Sequence, residues 1–202
     1  MHDLWAIERE LRLSGSKIIC GVDEAGRGPL AGSVCAAAVI LPEGADLPGL
    51  DDSKKLSEAK REVLFDAICA IAESYGIGWA TVEEIDEANI LNATYLAMNR
   101  AIEALDLTAD ICLIDGNRTE GINYPNRAIV GGDKLSGSIA AASIIAKVTR
   151  DRYMSELHQQ YPQYGFDRHR GYPTKAHYAA LDEHGASPVH RQSFLRKWYA
   201  KA

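Results

Sequence analysis

Acidic residues stand at the ends of three strand-like segments of this chain. Asp23 and Glu24 end the first apolar run, Asp115 ends a later one, and Asp133 follows the last. In open α/β sheets, ligand-binding groups converge at the carboxyl ends of the strands. If these strands are neighbours, the four carboxylates should crowd one edge of the sheet.

Crowded carboxylates raise one another's pKa and resist joint ionisation unless a cation neutralises them. Mg²⁺ prefers oxygen ligands, takes few of them from protein and completes its shell with water and substrate phosphate. Two such ions about 4 Å apart would hold the attacking and leaving oxygens of a phosphodiester in line. The four acids therefore favour a metal-dependent nuclease. The alternative is that each acid caps a helix or occupies a turn.

A glycine-rich turn, Gly26-Arg27-Gly28, follows the acidic pair directly. Glycine permits a positive φ and lets the backbone approach a ligand closely. Such a turn could present main-chain N–H groups and a guanidinium to a nucleic-acid backbone, although it could equally be a plain hairpin connection. It is neither a Walker loop nor a dinucleotide fingerprint, because the Gly-Lys-Ser/Thr ending and the third glycine are missing.

The elements around these residues are predicted from periodicity and capping signals. Strands are expected over 17–23, 33–41, 75–82, 111–115 and 127–130, with the first two close enough to pair antiparallel. Helices are expected over 3–14, from Ser57 to about Glu73, in one or two pieces over 85–105, over 135–159, from Thr174 to Glu183, and from Pro188 to near Tyr199. This order predicts an α/β sheet with an antiparallel hairpin and a helical last third.

Length and composition indicate one globular domain. The 202 residues, 47% of them hydrophobic, suit a single domain over 1–202 in which a helical C-terminal extension, from about 160, packs on the rest. No apolar run reaches the roughly 18 residues of a membrane span, so we expect a soluble cytoplasmic protein with no membrane partner. The four cysteines form no CxxC pair, which argues against a thiolate zinc site or a redox motif.

Charge is divided unevenly along the chain. Residues 1–133 hold 11 basic and 23 acidic residues, a net of −12, whereas residues 134–202 hold 11 basic and 5 acidic residues, a net of +6. Five of the six histidines also lie in the second part. This asymmetry suggests a basic surface beside an acidic one, although an ordinary solvated surface would give the same counts.

The motifs together resemble one known family, the bacterial ribonuclease HII enzymes, or type 2 ribonucleases H. The resemblance begins with the segment Asp-Glu-Ala-Gly-Arg-Gly-Pro-Leu-Ala-Gly over 23–32 and spans nearly the whole chain. Further blocks appear in order over 52–57, 114–117, 131–133, 141–152, 171–174 and 190–194.

The resemblance implies a ribonuclease H-like α/β fold, with a mixed central sheet flanked by helices and a helical C-terminal portion. Asp23, Glu24, Asp115 and Asp133 match the family's metal ligands, with Mg²⁺ expected and Mn²⁺ as a substitute. Gly26, Arg27 and Gly28 match the segment that recognises the 2′-hydroxyl at an RNA–DNA junction, and Tyr172 matches the tyrosine that packs on the next sugar.

The implied activity is cleavage of RNA in RNA–DNA hybrids and nicking 5′ to a single ribonucleotide in duplex DNA, leaving 3′-hydroxyl and 5′-phosphate ends. Two alternatives stay open. A metal nuclease of the same fold that cuts DNA junctions would have no 2′-hydroxyl for the Gly-Arg-Gly turn to read. A non-catalytic hybrid-binding module would be favoured by loss of an acid, and all four acids are present.

Basic residues supply candidates for phosphate contacts, which position a duplex without reading its sequence. For each of them a solvated surface position is an equal alternative. His169 could instead assist protonation of the leaving group, but we favour a structural or phosphate-binding role because two metal ions can stabilise that oxygen. The candidates are Lys54, Lys55, Lys147, Arg150, His169, Arg170 and Arg191.

Residues 192–199 have the spacing of a sliding-clamp-binding peptide, with a glutamine, a leucine and paired aromatic residues. A helix that buries the same apolar residues against the domain would show the same pattern, and we favour that reading. The expected partners are thus RNA–DNA hybrid and ribonucleotide-containing duplex DNA, with a weak clamp contact as a secondary hypothesis. We expect a monomer.

Overall fold

The computed structural model describes residues 3–51 and 53–200 of the chain, except for the side chain of Lys54. A mixed five-stranded sheet forms its centre, in the order β3-β2-β1-β4-β5. The antiparallel β1–β2 hairpin is the one predicted, β3 extends it antiparallel, and β4 and β5 pair parallel to β1. The strands are β1 (Ile19–Ala25), β2 (Val34–Ile40), β3 (Ser74–Ala80), β4 (Ile111–Asp115) and β5 (Asn126–Ile129).

Seven α-helices are assigned within the described residues. Local signals place several of their ends, since Ser57, Ser136 and Thr174 each accept a backbone N–H at a helix start. The helices are α1 (Ala6–Leu13), α2 (Glu58–Ile71), α3 (Val82–Glu103), α4 (Gly137–Gln160), α5 (Phe166–His169), α6 (Lys175–His184) and α7 (Arg196–Tyr199).

The predicted capping box at the start of α3 is confirmed. Thr81 accepts the backbone N–H of Glu84, and the Glu84 carboxylate accepts that of Thr81. Asn89 interrupts α3 with a φ of 69°, and its side chain caps the next turn by accepting the N–H groups of Leu91 and Asn92. The expected helical region over 85–105 is therefore two pieces joined by an asparagine.

Helices cover both faces of the sheet, so the fold is the predicted α/β class with a mixed sheet. Alternate residues of β1 and β4 face opposite layers. Val22 and Ile114 pack with α3, while Leu113 packs with the start of α4. Helices α2 and α4 cover β2 on the α4 side of the sheet. Asp23 continues the alternation on the α4 side, where it lines a cavity with Ser143 and Lys147 of α4. Asp115, at the end of β4, lines a cavity with residues of α3.

The C-terminal portion packs on the end of α4 and on the loop after β1. Leu30, Met154, Phe166, Leu181 and Leu195 are buried together in one cluster there. The helix predicted from Pro188 is wrong. The chain turns at that point, His190 forms an isolated bridge with Ala31, and a short 3-10 helix at Gln192–Phe194 precedes α7. In the described chain, no helix is both long and apolar enough to span a membrane.

Candidate active site

Strand pairing brings Asp23 and Asp115 to adjacent positions. β1 and β4 are parallel neighbours, with Val22 opposite Ile114. Asp23 directly follows Val22, and Asp115 directly follows Ile114. Neighbouring strands lie about 4.8 Å apart. Asp23 and Asp115 therefore lie at neighbouring positions where the two parallel strands end.

Asp133 reaches this edge through a tight turn after β5. The N–H of Gly132 donates to Oδ1 of Asp115 at 2.7 Å, which fixes the turn against the end of β4. Asp133 is the next residue, and it is only 4% exposed, as Asp23 is only 5% exposed. A buried carboxylate is costly unless it is paired or coordinated, and Oδ1 of Asp23 accepts the N–H of Glu24 at 2.7 Å.

Two cavities meet at Glu24 and Arg27. A cavity of about 200 Å³ on the α4 side is lined by the end of β1 and the turn after it, by three residues of α4 and by two residues from elsewhere. These are residues 23–28, then Ser143, Lys147 and Arg150, and finally Ser53 and Tyr172. A second cavity of about 310 Å³ on the α3 side is lined by Glu24, Arg27 and Asp115 together with residues of α3 and of 116–118. Glu24 therefore links the cavity that holds Asp23 with the one that holds Asp115.

The donor set fits a hard divalent cation, because all four candidates are carboxylates. Their arrangement is less crowded than the sequence led us to expect. Among residues 3–51 and 53–200, no three His, Cys, Asp or Glu side chains are grouped closely enough to hold a metal ion as they stand. Asp23 and Asp115 end neighbouring strands, and the carboxylates would have to move closer together to share one ion.

The Gly-Arg-Gly turn lies between the acids and Tyr172. Gly26 has a φ of 102°, and a Cβ there would lie 2.0 Å from Nε of Arg150, so this position requires glycine. Arg27 is exposed and donates to Glu24 at 3.4 Å. A Cβ on Gly28 would lie 3.3 Å from the ring of Tyr172, which is itself 44% exposed. The turn and the tyrosine thus form one continuous surface.

Arg150 and Arg191 do not lie on the exposed phosphate-binding surface that we expected. They are 1% and 0% exposed, and their guanidinium groups donate to main-chain carbonyls. Arg150 donates to Ala31, Ser33 and Arg170, and Arg191 donates to Gly26, Arg27 and Gly32. Because this hydrogen bonding uses their donors inside the protein, we propose that neither arginine binds phosphate. Arg191 would position the turn, and Arg150 would join the loop after it to Arg170.

The remaining basic candidates occupy varied surroundings. Lys147 lines the α4-side cavity, where its ammonium donates to Asp151 at 2.7 Å. Burial lowers the pKa of Lys147, and the pairing with Asp151 opposes that shift. Lys55 is exposed and pairs with Asp51. The side chain of Lys54 lies outside the described residues, although its backbone belongs to a 3-10 helix at Ser53–Lys55.

His169 and Arg170 are held by structural hydrogen bonds. Nε2 of His169 lies 2.7 Å from the carbonyl of Tyr164, and its Nδ1 accepts the N–H of Gly171 at 3.2 Å. Burial lowers the pKa of His169. Arg170 donates to Ser155 at 2.6 Å. Of the structural and phosphate-binding roles that we favoured for His169, these contacts support the structural one.

The segment with clamp-peptide spacing is tied to its own domain. Leu195 is fully buried, and the hydroxyl of Tyr199 donates to the side chain of Gln192 at 2.5 Å. The backbone N–H of Gln192 donates to Asp86 at 2.8 Å. This packing corresponds to our favoured reading, and Tyr199 remains 46% exposed.

Several lining residues were not predicted as site residues, although Ser143 and Asn117 lie within segments that carry the family resemblance. Ser143 faces the α4-side cavity from an alanine-rich helix, while Asn117 and Arg118 line the α3-side cavity from the loop after β4. Burial raises the pKa of Tyr95 in the same cavity, and the nearby guanidinium groups of Arg118 and Arg27 oppose the shift. The block over 114–117 pointed to Asn117, and proximity to Asp115 was the signal for Arg118.

Comparison with known proteins gives a consistent assignment. Residues 20–199 match the family model described as Ribonuclease HII. A ribonuclease HII from Dechloromonas aromatica is 59% identical over 177 residues, which cover 88% of this chain and 90% of that protein. Another, from Burkholderia mallei, is 60% identical over 178 residues, covering 88% of this chain and 83% of the relative.

Solved structures share the fold. The ribonuclease H2 of Pyrococcus horikoshii is 28% identical with a TM-score of 0.74, covering 92% of this chain and all of that one. The ribonuclease HII of Archaeoglobus fulgidus, solved as a complex with PCNA, is 25% identical with a TM-score of 0.70, covering 87% of this chain and 94% of that one. Bst-RNase HIII, solved with Mn²⁺, is 18% identical with a TM-score of 0.69 over 93% of this chain and 70% of that one, a likeness of fold alone. The chain belongs to the ribonuclease HII family and is a nuclease.

Proposed function

We propose that this protein cleaves the RNA strand of RNA–DNA hybrids and nicks duplex DNA on the 5′ side of a single ribonucleotide, leaving 3′-hydroxyl and 5′-phosphate ends. Family membership supports the ribonuclease H activity. One observation carries the finer proposal: the Gly28 backbone and the exposed Tyr172 ring meet in the same cavity as Asp23 and Glu24. A sugar can therefore be read beside the carboxylates.

The acids would hold two divalent ions, Mg²⁺ or Mn²⁺, with Asp23, Glu24, Asp115 and Asp133 as ligands. When bound, such ions supply Lewis-acid stabilisation of the attacking and leaving oxygens of a phosphodiester. The hydrogen bond from Gly132 occupies one oxygen of Asp115, so the other oxygen would serve as the metal ligand. It also keeps the Asp133 turn in register with β4.

The Gly-Arg-Gly turn would select the nucleotide. A 2′-hydroxyl both donates and accepts hydrogen bonds, and it is the group that distinguishes ribose from deoxyribose. Main-chain groups of Gly26, Arg27 and Gly28 can read it whatever the base. The flat ring of Tyr172 then packs on the following sugar, which suits a deoxyribose better than a hydroxylated one. Lys54, Lys55 and Lys147 are proposed to contact phosphates, which orient the duplex.

Three matched duplexes test the proposal: all DNA, an RNA–DNA hybrid, and DNA with one internal ribonucleotide. We expect cleavage of the last two when Mg²⁺ or Mn²⁺ is present, with the nick 5′ to the single ribonucleotide, and no cleavage after chelation. Equal cutting of the all-DNA duplex would favour a DNA nuclease. Metal-independent binding without cleavage would favour a non-catalytic module.

We further propose that the protein acts as a cytoplasmic, single-domain monomer that makes at most a weak sliding-clamp contact through 192–199. The four free cysteines suit a reducing compartment. The PCNA complex of the A. fulgidus enzyme supports testing the contact. Surface plasmon resonance against a sliding clamp tests the contact, because binding through this segment would be reduced by Tyr199→Ala. An unchanged signal would assign the segment to internal packing alone.

A further inference from the structure

We propose that the adjacent residues His190 and Arg191 form a brace that fixes the distance between the Gly-Arg-Gly turn and Tyr172, and so determine the selectivity for ribose. The inference rests on the proposed function of Tyr172. Both residues are buried, at 1% and 0% exposure. Arg191 is hydrogen-bonded to the Gly-Arg-Gly turn, and His190 is linked to Tyr172 through His177.

Arg191 holds the turn. Its Nη1 donates to the carbonyl of Arg27 at 3.1 Å and its Nη2 to that of Gly26 at 2.6 Å. Nε and Nη2 also donate to Gly32 at 2.9 and 2.6 Å, and the backbone N–H donates to Leu30 at 2.8 Å. Since the planar guanidinium is rigid, these bonds set the path of the whole loop from 26 to 32.

His190 holds Tyr172 through His177. Nε2 of His190 lies 3.0 Å from Nε2 of His177, whose Nδ1 lies 3.0 Å from the carbonyl oxygen of Tyr172. The same carbonyl accepts the N–H of Thr174 at 2.8 Å. The main chain of Tyr172 is therefore fixed, although its ring is exposed.

The hydrogen bonds require one protonation state for each ring. A carbonyl only accepts, so Nδ1 of His177 carries its hydrogen and Nε2 must accept. Nδ1 of His190 accepts the backbone N–H of Ser187 at 3.0 Å, so its Nε2 carries the hydrogen and donates to His177. The chain of bonds is thus complete only when both rings are neutral. Burial lowers the pKa of each to about 4, which keeps them neutral near pH 7.

The loop after the Gly-Arg-Gly turn also contacts the residue before Tyr172 and His190 directly. The N–H of Leu30 donates to the carbonyl of Gly171 at 2.8 Å, which joins the loop after the turn to the residue before Tyr172. His190 forms a bridge with Ala31 in the same loop. A shift of His190 would therefore move the Tyr172 ring relative to Gly28, and misplacing a substrate-positioning group by about 1 Å can cost roughly 100-fold in rate.

A double-mutant cycle tests the brace. In His177→Asn, the shorter amide can still donate to the Tyr172 carbonyl but loses the link to His190. We expect this change to lower kcat/KM on the single-ribonucleotide duplex roughly 10-fold or more, and to add nothing in a Tyr172→Ala background. If the two losses multiply, His177 acts independently of Tyr172 and the brace is overturned, while the role of Tyr172 stands. If Tyr172→Ala alone has no effect, both the proposed role of Tyr172 and the brace fail.

A second measurement uses the unchanged protein and so does not depend on whether a variant folds. The ¹⁵N shifts of the histidine rings report which nitrogen carries the hydrogen. We expect the Nδ1–H form for His177 and the Nε2–H form for His190 at pH 7. The opposite forms, or a mixture, would contradict the proposed chain of hydrogen bonds.

Discussion

Asp23, Glu24 and Asp115 are brought to neighbouring strand ends by strand order, whereas the Gly-Arg-Gly turn and Tyr172 are joined by residues from distant parts of the chain. Asp23 and Asp115 are adjacent because β1 and β4 are parallel neighbours. Gly26 is held by Arg191, which lies 165 residues away. The acidic edge is thus a property of the sheet, and the recognition surface depends on how the C-terminal portion packs against it.

The largest effect should come from the acidic edge. Asp115→Asn retains an oxygen that can accept the N–H of Gly132 but removes the negative charge, so it isolates the metal-binding role. We expect nicking to fall on the order of 1,000-fold, as for loss of a group central to catalysis. The single-turnover rate in Mg²⁺ measures this, with a thermal melt as the control for folding. Retained activity would count against the metal site.

On the recognition side, Arg191→Lys should destabilise the protein. An ammonium cannot reproduce the fork of bonds to Gly26, Arg27 and Gly32, so buried carbonyls lose their donors. We expect a loss of roughly 3 kcal/mol in the free energy of unfolding. Urea denaturation measures it, and the exposed Arg168→Lys is the matched control. Equal stability of both variants would contradict the positioning role.

The histidine pair predicts that the protein loses stability in acid. The pKa values of His177 and His190 fall to about 4 in the folded protein, below the ordinary 6.5. The unfolded chain therefore binds more protons between these values, and stability falls as the pH drops from about 6.5 to about 4.

Each ring should contribute roughly 2 to 3 kcal/mol to that loss. Melting temperatures across this range measure it, and His177→Gln should give a shallower slope because the glutamine does not titrate. A slope unchanged by the substitution would show that other groups dominate the acid sensitivity.

The smallest effect is expected for Lys147, whose ammonium is partly occupied by Asp151. Lys147→Gln should weaken duplex binding and reduce the slope of log affinity against log salt by about 1, as for loss of one phosphate contact. Fluorescence anisotropy measures both quantities, and Arg168→Gln is the control. A slope equal to that of the wild type would limit Lys147 to pairing with Asp151.

Local signals predicted much of the fold. The hairpin of β1 and β2 follows from two apolar runs separated by a glycine-rich turn, and α3 begins at a capping box. The helix from Pro188 was wrong because a proline at a helix start is also compatible with a turn. His190 forms a bridge with Ala31, which lies 159 residues earlier in the chain, and this contact favours a turn over a helix.

The candidate site likewise has a part that local sequence signals predicted and a part that they did not. Strand ends and acids are adjacent in sequence, so their common edge was predictable. Arg150 and Arg191 look like surface residues in sequence, since arginine is rarely buried. Their burial depends on free carbonyls of the loop from 26 to 33, and no local pattern reveals those acceptors.

The central claim is that the four acids bind metal, whereas the Gly-Arg-Gly turn and Tyr172 recognise the ribose. The variant Tyr172→Ala tests this claim most directly. The measurement is the rate of nicking a single-ribonucleotide duplex as a function of Mg²⁺ concentration. We predict that the maximal rate falls at least roughly 10-fold, the scale of a lost positioning contact, while the half-saturating Mg²⁺ concentration stays at the wild-type value. A comparable loss in both quantities would contradict the account.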